Sequence, residues 1–249
     1  KVSFMSRHSD GRRVALVTGA NRGIGLAVCR QLAEQGVVVL LGARDAAAGD
    51  AAARTLQADG LAVRAMVIDT ENPDTFDAAR DAIDRAFGRL DILVNNIGIG
   101  CDWAYTAANV PMRLLRDTFE INFFSVVDLT QRLLPLIEKS PAGRIVNQSS
   151  AIGSLAGHAT PASWAPGDRP LAYSASKTAL NAFTLHLACA LRDTPIKVNA
   201  AHPGIVKTDP NPNGLIGPEE GAQTAVALAL LPDDGPTGGF FHQGESVPW

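Results

Sequence analysis

The hydrophobic pattern of the chain alternates between two kinds of segment. Short runs dominated by apolar residues, several of them rich in β-branched side chains, have the length of β-strands. The run at 37–41 is wholly apolar, which is typical of a strand covered by helices on both faces. The pattern predicts seven strands, at 14–18, 37–41, 62–68, 92–95, 144–147, 197–201 and 239–242.

Longer segments between these strands repeat their apolar residues at helical spacing. Gly36 and Gly88 directly follow two such segments, and glycine is common just beyond the end of a helix. Pro135 lies near the end of the longest segment, where it is tolerated as a kink. The predicted helices cover 24–35, 45–58, 73–87, 111–138, 172–192 and 218–231.

Strict alternation of strands and helices predicts an α/β fold: a doubly wound parallel sheet of about seven strands with helices on both faces. No break in composition divides residues 12–249, which we expect to form a single domain. Residues 1–11 are too short and polar for a signal peptide. They are expected to be a flexible segment, of which the part before Met5 can come from cloning. Prolines and glycines predict an irregular segment at 151–172.

Composition excludes several classes of protein. Of 249 residues, 46% are hydrophobic and 19% charged, and the net charge is −3. The basic residues are scattered and no apolar run could span a bilayer, so we expect no nucleic-acid partner and no membrane. Cys29, Cys101 and Cys189 have no spacing suited to a metal or a disulfide framework, which favours a cytoplasmic location. We expect Cys29 and Cys189 to be buried and Cys101 to lie in a loop.

A glycine-rich stretch, Thr18-Gly-Ala-Asn-Arg-Gly-Ile-Gly25, joins the first strand to its helix. Glycines here allow a tight turn and a close approach of the backbone to a pyrophosphate. Free N–H groups at the start of the following helix favour an anion. A strand-to-helix turn can need glycine for its geometry alone. Its position after the first strand nevertheless predicts a dinucleotide site at Gly19, Asn21, Arg22, Gly23, Ile24 and Gly25.

Two arginines favour NADP(H) over NAD(H). The second strand is followed by Arg44, where an NAD site usually has an acidic residue, and Arg22 lies in the glycine-rich loop. Guanidinium groups suit a 2′-phosphate, which accepts charge-assisted hydrogen bonds. The alternative is that both arginines are solvated surface charges. Asp45 is a natural helix cap, and Asp69 could either bind the adenine amino group or shape a turn.

Tyr173 and Lys177 lie four residues apart in a predicted helix, so their side chains leave the same face. A phenol has an ordinary pKa of about 10, and a nearby cation is expected to lower it. Such a tyrosine could serve as a general acid or base. The pair alone is weak evidence, because this spacing also occurs by chance on many helices.

Taken in order, these motifs resemble the short-chain dehydrogenase/reductase family over about residues 12–243. The resemblance rests on the loop at 18–25, Asn95-Asn96-Ile97-Gly98, Asn122, Ser149-Ser150, Tyr173-x3-Lys177 and Pro203-Gly204. It implies a Rossmann-type domain that transfers hydride between a nicotinamide and a carbonyl or alcohol carbon. The helix at 218–231, Arg22 and Arg44 are most similar to the carbonyl-reductase branch. Two departures are Ile97, which replaces a small residue, and a longer spacing between Ser150 and Tyr173.

The resemblance implies a catalytic set of Asn122, Ser150, Tyr173 and Lys177. Tyr173 would donate a proton to the carbonyl oxygen, and Ser150 would hydrogen-bond that oxygen. Lys177 would hold the nicotinamide ribose, and Asn122 would hold a water; read alone, Asn122 is an ordinary helix residue. Ser149 is the neighbour of Ser150, which is preferred only by the family alignment. Further residues expected to border the cofactor are Asp69, Asn95, Gly98, Pro203, Gly204, Val206 and Thr208, with Tyr173 and Lys177.

The substrate side is expected to lie along 151–172, because this segment joins Ser150 to Tyr173. Leu155, His158 and Trp164 are predicted to form part of its wall, with Ser150 and Tyr173 at the reacting atoms. The alternative places Trp164 and His158 on the solvated surface. The stretch at 209–217 is short for a lid, which favours an open pocket for a bulky or aromatic ketone.

The leading interpretation is therefore an NADPH-dependent reductase of a ketone or aldehyde, with a small-molecule carbonyl substrate. An imine or enone reductase, or a dehydratase, on the same scaffold is an alternative. A non-catalytic NADP(H)-binding regulator is a third, disfavoured because Tyr173 and Lys177 are both present. The resemblance also favours a homodimer or homotetramer, and the alternative is a monomer, as in the carbonyl-reductase branch.

Overall fold

The computed structural model describes residues 11–159, 170–209 and 211–249. Its centre is a sheet in the order β3-β2-β1-β4-β5-β6-β7-β8. The prediction of an α/β fold with a mainly parallel sheet is confirmed. The strands are β1 Val14–Val17, β2 Val38–Ala43, β3 Val63–Val67, β4 Ile92–Asn95, β5 Arg144–Gln148, β6 Lys197–Ala201, β7 Phe240–His242 and β8 Glu245–Ser246.

Eight helices of the described residues flank this sheet, and their ends agree with the predicted ends to within about two residues in most cases. They are α1 Gly23–Glu34, α2 Ala46–Ala58, α3 Asp74–Phe87, α4 Met112–Phe119, α5 Ser125–Ile137, α6 Leu155–Ala159, α7 Leu171–Ala190 and α8 Pro218–Ala229. Asp45 caps α2 by accepting a hydrogen bond from the N–H of Ala48 at 2.8 Å. Gly88 ends α3 with a φ of 72°, a conformation that glycine adopts without strain.

The sheet has one strand more than the sequence predicts, and that strand is antiparallel. β7 pairs with β8 through Phe241–Ser246 and His242–Glu245. Gln243 and Gly244 connect the two strands with positive φ angles of 48° and 86°. A two-residue hairpin turn requires such angles, so the glycine at 244 is the sequence signal for this hairpin. The predicted parallel strands are therefore β1 to β7, and β8 adds a short antiparallel strand at the edge.

The predicted helix at 111–138 is interrupted. A π-helical turn at Glu120–Phe124 separates α4 from α5, while Pro135 lies inside α5. A π turn inserts one residue into the helical repeat and is frequent at functional sites. Asn122 lies in this turn, fully buried. The prediction of one continuous helix was therefore wrong at the point where a candidate catalytic residue occurs.

Two apolar clusters fill the two faces of the sheet, which explains why its central strands are apolar throughout. In β1, Ala15 and Val17 belong to the cluster that includes residues of α1, α2 and α8. Val14 and Leu16 belong to the cluster that includes residues of α3, α5 and α7. Cys29 lies in the first cluster as predicted. The matching prediction for Cys189 was wrong, because that side chain lies exposed on α7.

The order of the strands determines where a ligand could bind. The chain progresses outward from β1 through β2 to β3 on one side, and from β4 to β7 on the other. β1 and β4 are therefore the strands at which the direction of winding changes. Crevices form beyond the carboxyl ends of strands at such a point. The glycine-rich loop follows β1, Asn95 ends β4, and Ser149-Ser150 follow the neighbouring strand β5.

Parts of two predictions lie outside the described residues. The expected flexible segment at 1–11 falls there except for Gly11. Of the irregular segment at 151–172, the structure describes 151–159 and 170–172. The described part is more regular than predicted, because a 3-10 turn at Ala151–Gly153 leads into α6.

Candidate active site

The glycine-rich loop has the tight geometry that the sequence predicts. Gly19 and Gly23 adopt positive φ angles of 61° and 57°. A Cβ placed on Gly25 would lie 2.6 Å from Nδ2 of Asn96 and 2.7 Å from the carbonyl oxygen of Gly19. No side chain fits there, so α1 begins in direct contact with the loop. The initial N–H groups of α1 have no partners within the helix, so they are available to an anion beside this loop.

Asn96, which the sequence analysis did not select, fastens this loop to the end of β4. Its Nδ2 donates to the carbonyl oxygens of Thr18 and Gly19 at 2.9 and 3.1 Å. The N–H groups of Asn96 and Ile97 both reach Oγ1 of Thr18, at 3.0 and 3.2 Å. Ile97 packs against Gly19, so the larger side chain at this position crowds the glycine-rich loop.

Asn95 has a different environment from the one expected of a cofactor neighbour. Its Nδ2 donates to Oδ1 of Asn147 at 2.8 Å and to Oγ1 of Thr130 at 3.0 Å. Asn147 in turn donates to Oγ1 of Thr184 at 2.9 Å. This buried network joins β4 and β5 to α5 and α7 below the crevice. The contact with the nucleotide loop belongs to Asn96.

Both arginines of the predicted 2′-phosphate site lie exposed and face carboxylates. Nη1 of Arg22 is 2.7 Å from Oδ2 of Asp209, and Nη1 of Arg44 is 3.6 Å from Oε1 of Glu71. Oδ1 of Asp69 accepts a hydrogen bond from the N–H of Glu71 at 3.1 Å, so Asp69 shapes a turn here. The two cations are available at the surface, each held by a partner that a phosphate could replace.

The segment after β6 folds back towards the glycine-rich loop. Gly204 has a φ of 87°, and Val206 is buried and pairs with Ile216. A Cβ on Gly23 would be 3.6 Å from Cγ2 of Thr208, which places Thr208 beside the loop. Among the residues predicted in this segment, Thr208 thus lies nearest to the loop, while Val206 packs inward.

Tyr173 and Ser150 are brought together at the carboxyl end of β5. The hydroxyl of Ser150 lies close enough to the phenol of Tyr173 to lower its pKa as a hydrogen-bond partner. Ser149 points the other way and donates from Oγ to Oδ1 of Asn181 at 2.6 Å. The geometry therefore agrees with the choice of Ser150 over Ser149, which the sequence could make only by family resemblance.

Lys177 is buried beside Tyr173. Its Nζ lies 5.7 Å from the centroid of the Tyr173 ring and donates to the carbonyl oxygen of Gln148 at 2.7 Å. Burial lowers the pKa of Lys177 to about 8. The ammonium is therefore poised to lose its proton close to neutral pH. The i, i+4 spacing read from the sequence places both side chains as predicted.

The protonation of Tyr173 differs from the expectation. Burial raises the pKa of Tyr173 above its ordinary value, and the hydrogen bond with Ser150 opposes that rise. The prediction that Lys177 lowers this pKa was wrong for the structure described here, because desolvation of the phenolate dominates. The phenol is therefore protonated at neutral pH, which is the form that can donate a proton.

Asn122 connects the π turn to the loop after β4. Its Oδ1 accepts from the N–H of Ile99 at 2.8 Å, and its Nδ2 donates to the carbonyl oxygen of Ile99 at 2.8 Å. Nδ2 also donates to Oγ of Ser176 at 3.0 Å. An ordinary α-helical residue would not lie in this turn with its side chain paired to a distant backbone. The structure therefore does not support the alternative that Asn122 is an ordinary helix residue.

The substrate-side predictions are tested only in part. Leu155 is exposed on α6, and Nε2 of His158 lies 2.6 Å from the carbonyl oxygen of Ile152. Trp164 lies outside the described residues. Trp103, which the sequence analysis did not select, has its ring centroid 5.6 Å from that of Tyr173 and remains 54% exposed. The sequence signal that could have identified Trp103 was an aromatic residue in the loop after β4.

The residues of the crevice fit a dinucleotide. Gly98 is exposed, and a Cβ there would lie 3.2 Å from Nζ of Lys177 and 3.5 Å from Oδ1 of Asn122. Because residue 98 has no side chain, its backbone lies close to Nζ of Lys177 and Oδ1 of Asn122. Within the described ranges, no cluster of acidic, histidine and cysteine side chains could hold a metal ion.

Comparisons with known proteins identify the family. The family model described as short chain dehydrogenase matches residues 13–214. This protein belongs to the short-chain dehydrogenase family. Carbonyl reductase [NADPH] 1 of Mus musculus is 35% identical, over 97% of this chain and 100% of its own. The predicted family is confirmed.

Solved structures agree with this assignment. Salutaridine reductase from Papaver somniferum matches with a TM-score of 0.80 and 31% identity, covering 93% of this chain and 100% of its own. An NADPH-bound carbonyl reductase from chicken fatty liver matches with a TM-score of 0.82 and 26% identity, covering 96% and 99%. No helix of the described residues has the length and apolar character needed to cross a membrane.

Proposed function

We propose that this short-chain dehydrogenase is an NADPH-dependent carbonyl reductase, which converts a ketone or aldehyde to an alcohol with Tyr173 as the general acid. The observation that carries the proposal is the grouping of Tyr173, Ser150 and Lys177 beside Gly98. The names of the mouse and chicken relatives support carbonyl reduction and NADPH.

The cofactor residues of this chain would divide the work of binding. The glycine-rich loop and the first turn of α1 would hold the pyrophosphate, and Arg22 and Arg44 would hold the 2′-phosphate. Gly98, Lys177 and the segment at 203–208 would border the nicotinamide end. When bound, the reduced nicotinamide would supply the hydride that reaches the carbonyl carbon.

Protein side chains would handle the proton. Tyr173 would donate its phenolic proton to the carbonyl oxygen, and its raised pKa keeps that proton available at neutral pH. Ser150 would hydrogen-bond the same oxygen and stabilise the charge that develops there. Lys177, whose pKa burial lowers to about 8, would stabilise the phenolate that remains after transfer. Asn122 would hold Ile99 and Ser176 beside this pair.

The exposed ring of Trp103 favours a bulky or cyclic carbonyl substrate. It offers an apolar surface next to the phenol of Tyr173, on which a ring of the substrate could pack. Leu155, His158 and Trp164 would supply other parts of the wall. This substrate class also agrees with the short stretch at 209–217.

The test is cofactor oxidation with a panel of ketones, diketones, quinones, enones and cyclic imines, with NADPH and NADH in parallel. We expect turnover of cyclic and aromatic ketones with NADPH preferred. Acetophenone and cyclohexyl methyl ketone form a matched pair for the aromatic contribution. Tight NADPH binding without turnover of any carbonyl compound would contradict the proposal and favour a regulator, whereas turnover of imines or enones alone would favour the other reductases.

A further inference from the structure

Asp102 is a buried carboxylate in the loop between β4 and α4, and the chemistry described above does not use it. Its side chain is fully buried. Oδ2 accepts a hydrogen bond from the N–H of Ala172 at 2.6 Å, and Oδ1 accepts from the N–H of Tyr173 at 3.3 Å. A buried carboxylate is stable only when such donors compensate the loss of water. Both donors belong to the first turn of α7.

The first turn of α7 needs an acceptor from elsewhere. The initial N–H groups of a helix have no partners within it, and a polar side chain at the N-cap usually accepts from them. Pro170 occupies the N-cap of α7 and has no side-chain acceptor. Asp102 replaces that cap from a loop 70 residues earlier in the chain. Its negative charge also interacts favourably with the helix dipole.

The backbone carbonyl group of Tyr173 is also fixed by a side chain. Its carbonyl oxygen accepts from Oγ of Ser176 at 2.7 Å, and Oγ of Ser176 accepts from Nδ2 of Asn122 at 3.0 Å. Asp102 therefore fixes the N–H side of Tyr173, and the π turn supports its carbonyl side through Ser176. Both supports come from the chain that follows β4.

The ring of Tyr173 has a third support from the same loop. Trp103, the neighbour of Asp102, packs against it with an interplanar angle of 41°. Nε1 of Trp103 donates to the carbonyl oxygen of Gly100 at 3.0 Å, which fixes the indole. The pair Asp102–Trp103 thus contacts both the backbone and the ring of Tyr173.

We propose that Asp102 is a positioning residue, whose carboxylate fixes the first turn of α7 and thereby directs the phenol of Tyr173 at the substrate carbonyl. The inference rests on the proposed role of Tyr173 as the acid. Small displacements of a catalytic group reduce the rate steeply, about 100-fold for 1 Å. Loss of Asp102 should therefore reduce kcat and leave NADPH binding unchanged.

The first experiment measures kcat, KM for a ketone and the Kd for NADPH in D102A, D102N and N109A. We expect D102A to lower kcat about tenfold, with the Kd for NADPH within about twofold of wild type. D102N retains one side-chain oxygen for the two N–H groups, so its kcat should fall only about threefold. Asn109 accepts from the N–H of Thr106 at 2.8 Å in the same loop, and N109A should match wild type.

A double-mutant cycle with Y173F distinguishes positioning from a general structural role. If Asp102 acts through the phenol, D102A should cause no further loss of kcat in the Y173F background. Amide hydrogen exchange gives a readout independent of turnover, since D102A should speed exchange at Ala172 and Tyr173 but not in α2.

Three outcomes would overturn the inference alone: a kcat of D102A within twofold of wild type, losses that multiply in the cycle, or unchanged exchange at Ala172 and Tyr173. Full turnover by Y173F would instead overturn the proposed function, and the positioning role with it. If D102A does not fold, D102N tests the inference instead. D102N must then show the smaller loss of kcat, and it must cause no further loss in the Y173F background.

Discussion

Two regions of the crevice are built in opposite ways. The proposed catalytic interior consists of Asn122, Ser150, Tyr173, Ser176 and Lys177. Its three fully or almost fully buried members, Asn122, Ser176 and Lys177, bond mainly to backbone groups. The arginine rim consists of Arg22, Arg44, Glu71 and Asp209. Its ion pairs join side chains that are each more than two-thirds exposed.

The difference indicates which property each region controls. Bonds between buried groups and backbone fix positions before a ligand arrives, so the interior should control kcat. Exposed ion pairs contribute about 0–1 kcal/mol and exchange partners readily. The rim should therefore control the affinity for NADPH and its preference over NADH. A rim mutation that lowers kcat, or an interior mutation that changes only the affinity for NADPH, would contradict this comparison.

The largest expected effect is in the interior, at Tyr173. Y173F removes the proton donor and keeps the ring, so kcat should fall by about 10² to 10⁴-fold, the usual contribution of a general acid. The Kd for NADPH should stay within about threefold, because the ring and Lys177 remain. Measurement of kcat by cofactor oxidation and of Kd by fluorescence titration checks both. Y105F, which changes the other tyrosine of the chain, is the matched control.

Retention of turnover by Y173F would contradict this assignment of the acid. An equal loss in Y105F would show that the effect is a disturbance of the loop after β4. Either result would remove the distinction between a catalytic interior and the rest of the crevice.

The burial of Lys177 predicts a pH-dependent stability in the absence of cofactor. The pKa of Lys177 is about 8 in the folded protein, against an ordinary value of 10.5. Below pH 8 the amine is charged in both folded and unfolded chains. Between pH 8 and 10.5 only the unfolded chain still holds the proton, so the free energy of unfolding rises with pH in this window. The rise from Lys177 is on the order of 3 kcal/mol.

Urea unfolding of wild type and K177M between pH 7 and 10.5 tests whether the free energy of unfolding rises with pH because of Lys177. The stability of wild type relative to K177M should increase with pH, since methionine at 177 cannot titrate. Lys139 is half-exposed and ion-paired with Asp84, so the corresponding difference for K139M should stay small. A constant or falling difference for K177M would show that Lys177 is solvated in the cofactor-free protein.

At the rim, smaller effects confined to affinity are expected. R22A and R44A should each raise the Kd for NADPH about tenfold, because each loses a charge-assisted bond to the 2′-phosphate. The Kd for NADH and the kcat with saturating NADPH should change less than about twofold. R30A is the control, since Arg30 is also ion-paired at the surface, 2.8 Å from Asp59. Equal weakening of NADH binding would place these arginines elsewhere on the dinucleotide.

The sequence predicted the parts of the molecule that depend on local pattern. Strand positions, most helix ends, the glycine-rich loop and the shared face of Tyr173 and Lys177 follow from spacing along the chain. The π turn at Asn122 could not be predicted from this spacing, because it depends on bonds to Ile99, 23 residues away. The cap by Asp102 is likewise set by tertiary contact.

The pKa shifts and ion pairs of the site could not be predicted from the sequence either. The i, i+4 spacing of Tyr173 and Lys177 suggested a lowered pKa for the phenol, but burial raises that pKa, and the opposing effect of Ser150 is smaller. Sequence spacing contains no measure of desolvation. The ion pairs of Arg22 and Arg44 with Asp209 and Glu71 were also invisible, since they join residues from separate loops.

The smallest expected effect tests whether the rim exchanges partners. Asp209 faces Arg22 at 2.7 Å where the 2′-phosphate is proposed to bind, so its carboxylate competes with that phosphate. D209N removes the competing charge and should lower the Kd for NADPH about two- to threefold, with no change for NADH. The gain should shrink from 0.05 to 0.5 M salt, because both charges are exposed and screened. Weaker NADPH binding by D209N would mean instead that Asp209 holds Arg22 in its binding position, and the rim would then be preorganised like the interior.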